Sequence, residues 1–160
     1  MQKHIRRAAG AAAILGGLAT VPAAGATSFS VGDTGGIEVT AFLGESEGPV
    51  RMCVDTGAST TMVDYDTASH LLKTKQARLS DDAHMVIADG TEHVVQTIII
   101  ATMGMQDGAG MVGWATDNVR ALVVPRSPSS GTVGCLGLNY IGLFSHFHFN
   151  WRNHTIDAKP

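Results

Sequence analysis

A short apolar run, Met52-Cys53-Val54, ends directly in Asp55-Thr56-Gly57-Ala58-Ser59. That order places a carboxylate at the end of a buried strand and at the start of a tight turn, where water is scarce and ionisation is costly. Context carries the signal, because the chain holds a second Asp-Thr-Gly at Asp33-Thr34-Gly35. That copy lies between Gly32 and Gly36 with no apolar strand feeding it, and reads as a loop.

Around this segment, short apolar runs are separated at close intervals by Gly, Asp, Ser and Pro, the pattern of an all-β chain. Ile37 to Leu43 alternates as a strand, 44–49 is a turn, and Val50 to Val54 is the strand that ends at the aspartate. Thr67 to Lys75 places Ala68, Leu71 and Leu72 at helical spacing, enough for one short helix. His84 to Ala88 and Thr91 to Val95 flank Asp89-Gly90, a hairpin signal of the type I′ turn, whose two central residues need positive φ. Gln96 to Met103 and Val119 to Val124 read as strands, the glycine-rich Met105 to Gly113 as a mobile stretch, and Pro125 to Gly134 as a polar loop. Near the end stands Val133-Gly134-Cys135-Leu136-Gly137-Leu138-Asn139-Tyr140-Ile141, followed by a terminal hairpin turning about Arg152-Asn153.

The chain has 160 residues, 16% charged and 44% hydrophobic, proportions of a folded domain and not of a disordered tail. A net charge of −3 without a basic block gives no support for binding nucleic acid or an anionic membrane surface. Lys3, His4, Arg6 and Arg7 precede an apolar stretch from Ala8 to Val21, and Ala24-Gly25-Ala26 supplies the small residues read by a signal peptidase. Residues 1–26 therefore read as a secretory signal, leaving 27–160 as one exported, periplasmic or secreted domain with no membrane segment in the mature form. The apolar stretch is shorter than the roughly 20 residues of a bilayer span, and an uncleaved anchor is the alternative. Export gives Cys53 and Cys135 two readings: a disulfide closing a loop of about 80 residues, worth roughly 4 kcal/mol in the chain-entropy account, or two small buried apolar residues.

Three segments in order, the Asp-Thr-Gly-Ala-Ser loop, a glycine-tipped hairpin and a late Leu-Gly-Leu-Asn-Tyr-Ile run, resemble the bacterial retropepsin-like aspartic proteases. The resemblance implies an all-β, retropepsin-like closed β-barrel, one acid-protease lobe with one or two short helices. It implies that Asp55 is catalytic, that Thr56, Gly57, Ala58 and Ser59 support it, and that Ser59 meets the substrate main chain. Ala88, Asp89 and Gly90 would be the flap that closes over substrate. Leu136 and Gly137 would belong to the strand that threads beside the catalytic loop. The activity implied is aspartic-type endopeptidase, acting on a peptide or protein without cofactor or metal. Water would be activated between two aspartates about 3 Å apart that share one proton. One loop supplies one carboxylate, and only 21 residues separate Asp33 from Asp55, too few for a second lobe. The expected enzyme is a homodimer, each subunit contributing Asp55.

Plainer readings stand beside these. Asp55 as a turn-forming strand end, and Asp89-Gly90 as an ordinary hairpin, need no catalysis. A peptide-binding module that keeps the fold without hydrolysis is the rival function. His146, His148 and His154 could chelate zinc if they converged, making a metal-dependent hydrolase a third reading, but such histidines usually line a solvated strand face. Asp64, Asp66, Asp81 and Asp82 read as surface or helix-end carboxylates. Met103, Met105 and Met111 read either as the lining of a substrate groove or as gap-fillers, the commoner use of such residues.

Overall fold

A computed structural model describes residues 26–45, 48–87 and 89–159. The signal expected over 1–26 lies outside the described residues except for Ala26, and Ala88 of the expected flap lies outside them too.

The described chain forms strands β1 (Ala26–Val31), β2 (Ile37–Leu43), β3 (Pro49–Val54) and β4 (Thr61–Asp64), then helix α1 (Tyr65–Lys73). It continues through β5 (Ala77–Val86), β6 (Glu92–Gln106), β7 (Val112–Val124), β8 (Gly134–Leu136), helix α2 (Leu138–Ile141), β9 (His146–Asn150) and β10 (Thr155–Lys159). The expected helix at 67–75 is present two residues earlier. Its start is set by Asp64, whose side chain accepts the Thr67 N–H at 2.8 Å, an N-cap that the apolar spacing alone does not locate.

Neighbouring strands run in the order β5-β6-β7-β4-β8-β3-β2-β1-β10-β9. A further pairing of β6 with β2, at Ala41↔Met105 and Leu43↔Met103, closes β2, β3, β8, β4, β7 and β6 into a barrel. Closure removes sheet edges, and it lets β6 reach both β7 and β2 by being fifteen residues long. Inside lie Val39, Ala41, Leu43, Met52, Val63, Ile98, Ile100, Met103, Met105, Ala121, Leu136 and Tyr140. Met103 and Met105 are thus core fillers, in keeping with their adaptable shape.

Both parities of β2 are buried, because the barrel covers one face and neighbouring chain covers the other. Glu38, only 2% exposed, therefore needs partners: the Arg51 guanidinium pairs with it and Ser129 Oγ donates to it at 3.2 Å. These contacts tie the loop after β7 to the barrel wall.

Three hairpin turns share one construction. Asp33–Gly35, the turn ending at Gly90, and the turn ending at Gly110 are each closed by an N–H from that glycine to the carbonyl three residues earlier, at 2.9 Å. The glycines have φ of +79°, +84° and +77°, so each three-residue loop ends on a left-handed residue that lacks a Cβ. Asp89 itself is not left-handed, so the type I′ turn expected there is replaced by this longer loop. The stretch at 105–113 expected to be mobile is likewise a tight hairpin, with Asp107 Oδ1 accepting the N–H groups of Ala109 and Met111, both at 2.9 Å.

Candidate active site

Strand β3 leads into Asp55, and the adjacent β8 runs parallel to it, with Cys53 opposite Cys135 and Val54 opposite Leu136. On its other side β8 pairs antiparallel with β4, with Met62 opposite Cys135. A three-residue strand is thus threaded between the two strands that the Asp55 loop connects. This insertion requires close approach on both flanks. A Cβ on Gly134 would overlap the Met62 carbonyl, and one on Gly137 would overlap the Thr60–Thr61 peptide. Glycine is needed at both positions by packing and not by φ.

The loop is pinned by main-chain bonds. Asp55 N–H donates to Leu136 O at 3.0 Å, Leu138 N–H to Ala58 O at 2.8 Å, and Asn139 N–H to Ser59 O at 3.1 Å. The Asp55 carboxylate accepts the Gly57 N–H at 2.8 Å. A Cβ on Gly57 would come to 3.2 Å from that carboxylate oxygen, so its absence leaves the acceptor room. Asp55 is half-buried, and Thr56, Gly57 and Ser59 are exposed. The dry environment expected around Asp55 is therefore not supplied by one chain, because the loop lies beyond the end of the barrel.

Asn139 carries a role that the sequence reading did not assign. Its Oδ1 accepts both the N–H (2.7 Å) and the Oγ1–H (2.9 Å) of Thr61, and its Nδ2 donates to Arg120 O at 2.7 Å. Thr61 Oγ1 in turn accepts the Gly137 N–H at 3.2 Å. One side chain links the far end of the loop to β7 and to the start of α2. The available signal was an amide inside the otherwise apolar 133–141 run, since a polar side chain there needs partners. Behind it Tyr140, fully buried, donates its hydroxyl to Trp114 O at 3.0 Å, and burial pushes its phenol well above the ordinary value.

Cys53 and Cys135 are joined in a disulfide, their Cα atoms 4.3 Å apart. It crosses between β3 and β8, one residue before Leu136.

Asp89 and Gly90 sit at the tip of the β5–β6 hairpin. Asp89 Oδ1 accepts the Thr91 N–H at 2.8 Å, and the Thr91 hydroxyl and N–H hold the carboxyl below its ordinary value. Val86, Ile87 and Val94 are exposed on this hairpin, beside a solvated His84–Glu92 pair at 2.6 Å.

Other acidic and histidine residues fall elsewhere. Asp33 lies in the β1–β2 turn and, among the described residues, makes no hydrogen bond or ion pair to Asp55. Asp66 lies in the first turn of α1, and Asp81 and Asp82 in the bulge of β5. His146 and His148 stack on one another with ring centroids 5.9 Å apart, whereas His154 stacks on Phe29 at 5.4 Å. Among the described residues no three His, Cys, Asp or Glu side chains converge to hold a metal.

An aspartyl protease family model matches residues 37–140, from the first barrel strand through the end of the inserted segment and its supporting helix. The chain belongs to the aspartyl protease family. Its fold is the retropepsin-like one: a crystal structure of a retropepsin-like aspartic protease from Rickettsia conorii superposes with a TM-score of 0.57 at 16% identity, covering 86% of this chain and 92% of that one. No curated protein matches the chain. The all-β closed barrel with two short helices is the fold class that the sequence implied.

Proposed function

We propose that this protein is an aspartic-type endopeptidase whose active site is completed by a second copy of the chain. The observation that carries this reading is the position of Asp55. It is held by the Leu136 carbonyl and the Gly57 N–H on a pinned loop, yet the loop's outer face of Thr56, Gly57 and Ser59 is open. A two-fold axis beside that face would bring two Asp55 carboxyls together and bury them. Two carboxyls at hydrogen-bond distance share one proton, so one takes a proton from water while the other hydrogen-bonds the scissile carbonyl oxygen. Water then adds to the carbonyl carbon, and the nitrogen leaves after protonation, with no covalent intermediate on the enzyme. Thr56 is suited to tie the two loops together, and Ser59 to meet the substrate main chain. The β5–β6 hairpin is suited to close over an extended peptide and exclude water during the step.

The N-terminal pattern of basic head, apolar stretch and Ala24-Gly25-Ala26, together with the disulfide, supports export to the periplasm or beyond.

Two measurements test this. Cleavage of a mixed peptide library should be blocked by pepstatin, unaffected by EDTA, and lost in Asp55→Asn by at least about 10³-fold, the scale of removing a group on which the chemistry depends. Sedimentation should show a dimer under cleaving conditions, with specific activity falling on dilution below the dimer dissociation constant. An active monomer, or full activity in Asp55→Asn, refutes the proposal.

A further inference from the structure

We propose that Cys53 and Cys135 are positioning residues for Asp55, so that full catalytic power appears only after their thiols are oxidised. The inference rests on Asp55 being catalytic and concerns how its place is held.

Strand β8 is the shortest strand of the barrel. It is three residues long and meets β3 at two paired positions and β4 at two. Parallel pairing is the less stable kind per residue, and a ladder this short has little cooperativity. Its flanks are held by hydrogen bonds alone. Before it, Val133 N–H donates to Arg51 O at 2.9 Å and Val133 O accepts the Asp64 N–H at 2.8 Å. After it, the Leu138 and Asn139 N–H groups bond to Ala58 O and Ser59 O, so the disulfide is the one covalent tie across this ladder. The catalytic loop nevertheless takes its reference from β8, because the Asp55 N–H bonds to Leu136 O. The disulfide crosses the ladder at Cys53 and Cys135, paired residues one step before Val54↔Leu136. With the bond in place, β8 is held from sliding along β3, and Leu136 O stays under Asp55. Without it, a small shift of β8 moves the carboxyl with it. Displacement of a catalytic group by about 1 Å costs on the order of 10²-fold in rate.

The chemistry is thiol–disulfide exchange. The Cys53 thiolate attacks a disulfide of a small thiol or of a dithiol oxidoreductase, releasing one thiolate and forming a mixed disulfide. The Cys135 thiolate then attacks the Cys53 sulfur and releases the second. Two protons leave the protein, and its two electrons reduce the incoming disulfide to two thiols. Cys53 and Cys135 are 7% and 1% exposed, so exchange takes place before β8 is seated. Once formed, the bond is shielded from reductant. An enzyme built this way stays weak in a reducing cytoplasm and gains its activity in an oxidising compartment.

The test compares three forms of the protein: folded under oxidising conditions, folded and kept reduced, and the Cys53→Ala/Cys135→Ala variant. Thiol titration in denaturant fixes the state of each. Amide exchange is read at Asp55, Leu138 and Asn139 against Ile98 and Ile100 in the core, and kcat and KM are read with a peptide cut by the oxidised form. The reduced form and the variant should keep protection at Ile98 and Ile100. Asp55 should exchange at least about tenfold faster, and kcat should fall about 10- to 100-fold with KM within about twofold. Reductant should leave the variant's kcat unchanged. Exchange at Asp55 equal in all folded forms overturns the proposal, as does a uniform rise across Ile98 and Ile100, which would mark a staple of the whole fold. Two free thiols in the air-oxidised protein overturn it as well. If the variant does not fold, the reduced wild-type chain carries the comparison, and failure of both to fold counts as the staple outcome. If the oxidised form cleaves nothing, the endopeptidase reading fails, while the exchange comparison still decides the positioning.

Discussion

Asn139 illustrates how much a single amide can organise when it ties its own helix to two other segments, at Thr61 and Arg120. Thr61 is fully buried, and its N–H and hydroxyl both point at the Asn139 oxygen. Removing that oxygen leaves buried donors without partners, which costs about 1–3 kcal/mol. Asn139→Ala should therefore lower stability by that amount in chemical denaturation and, on the proposed function, reduce kcat more than it raises KM, because the far end of the Asp55 loop loses its tie. Asn139→Asp keeps the acceptor for Thr61 but loses the donor to Arg120 O, and should fall between the two. Equal losses in both variants would mean that the Arg120 link dominates. At this same scale, Asp55 was identified by its neighbours in sequence, whereas its half-exposed setting was not. The apolar residues before it place it at a strand end, but its exposure depends on which surface lies opposite.

At the scale of elements, the turns ending at Gly35, Gly90 and Gly110 share a physical rule: a three-residue loop that ends on a left-handed glycine. The sequence located the Asp89-Gly90 hairpin from the dipeptide, but not its loop length. Loop length is decided by the register of β5 on β6, which pairs Val86 with Glu92. The tip of the β5–β6 hairpin carries a titratable contact. The Asp89 carboxyl, held below its ordinary value by Thr91, contributes its hydrogen bonds while ionised. The contribution is full above the unfolded carboxylate value of about 3.9 and is lost as pH falls through the lower folded value. Exchange of the Thr91 amide should thus stay protected somewhat below pH 4 and open on further acidification. Asp89→Asn should remove that pH dependence. Opening already above pH 4 in the wild type would refute this role of the contact.

Across the whole molecule, closure of the barrel leaves Tyr140 in the core with no exposed surface. Burial raises its pKa, so the folded chain keeps the phenolic proton where the unfolded chain would release it. Stability from this group is present below about pH 10, the unfolded value, and is lost as pH rises above it toward the higher folded value. Denaturation midpoints should fall in that alkaline range, and less steeply in Tyr140→Phe, although that variant starts less stable because the Trp114 carbonyl loses its donor.

The sequence by itself determined the all-β class, the strand that ends at Asp55, the short helix after it, the late Gly137 segment and the terminal hairpin. These follow from local apolar period, from turn residues and from the position of a carboxylate after an apolar run. Only the tertiary structure decided what lies beside what: β8 inserted between β3 and β4, β6 closing on β2, Cys53 bonded to Cys135, and Asn139 joined to Thr61 across 78 positions of chain. Contacts of that span have no local signature, because the chain between their ends is free to take many paths until the barrel closes.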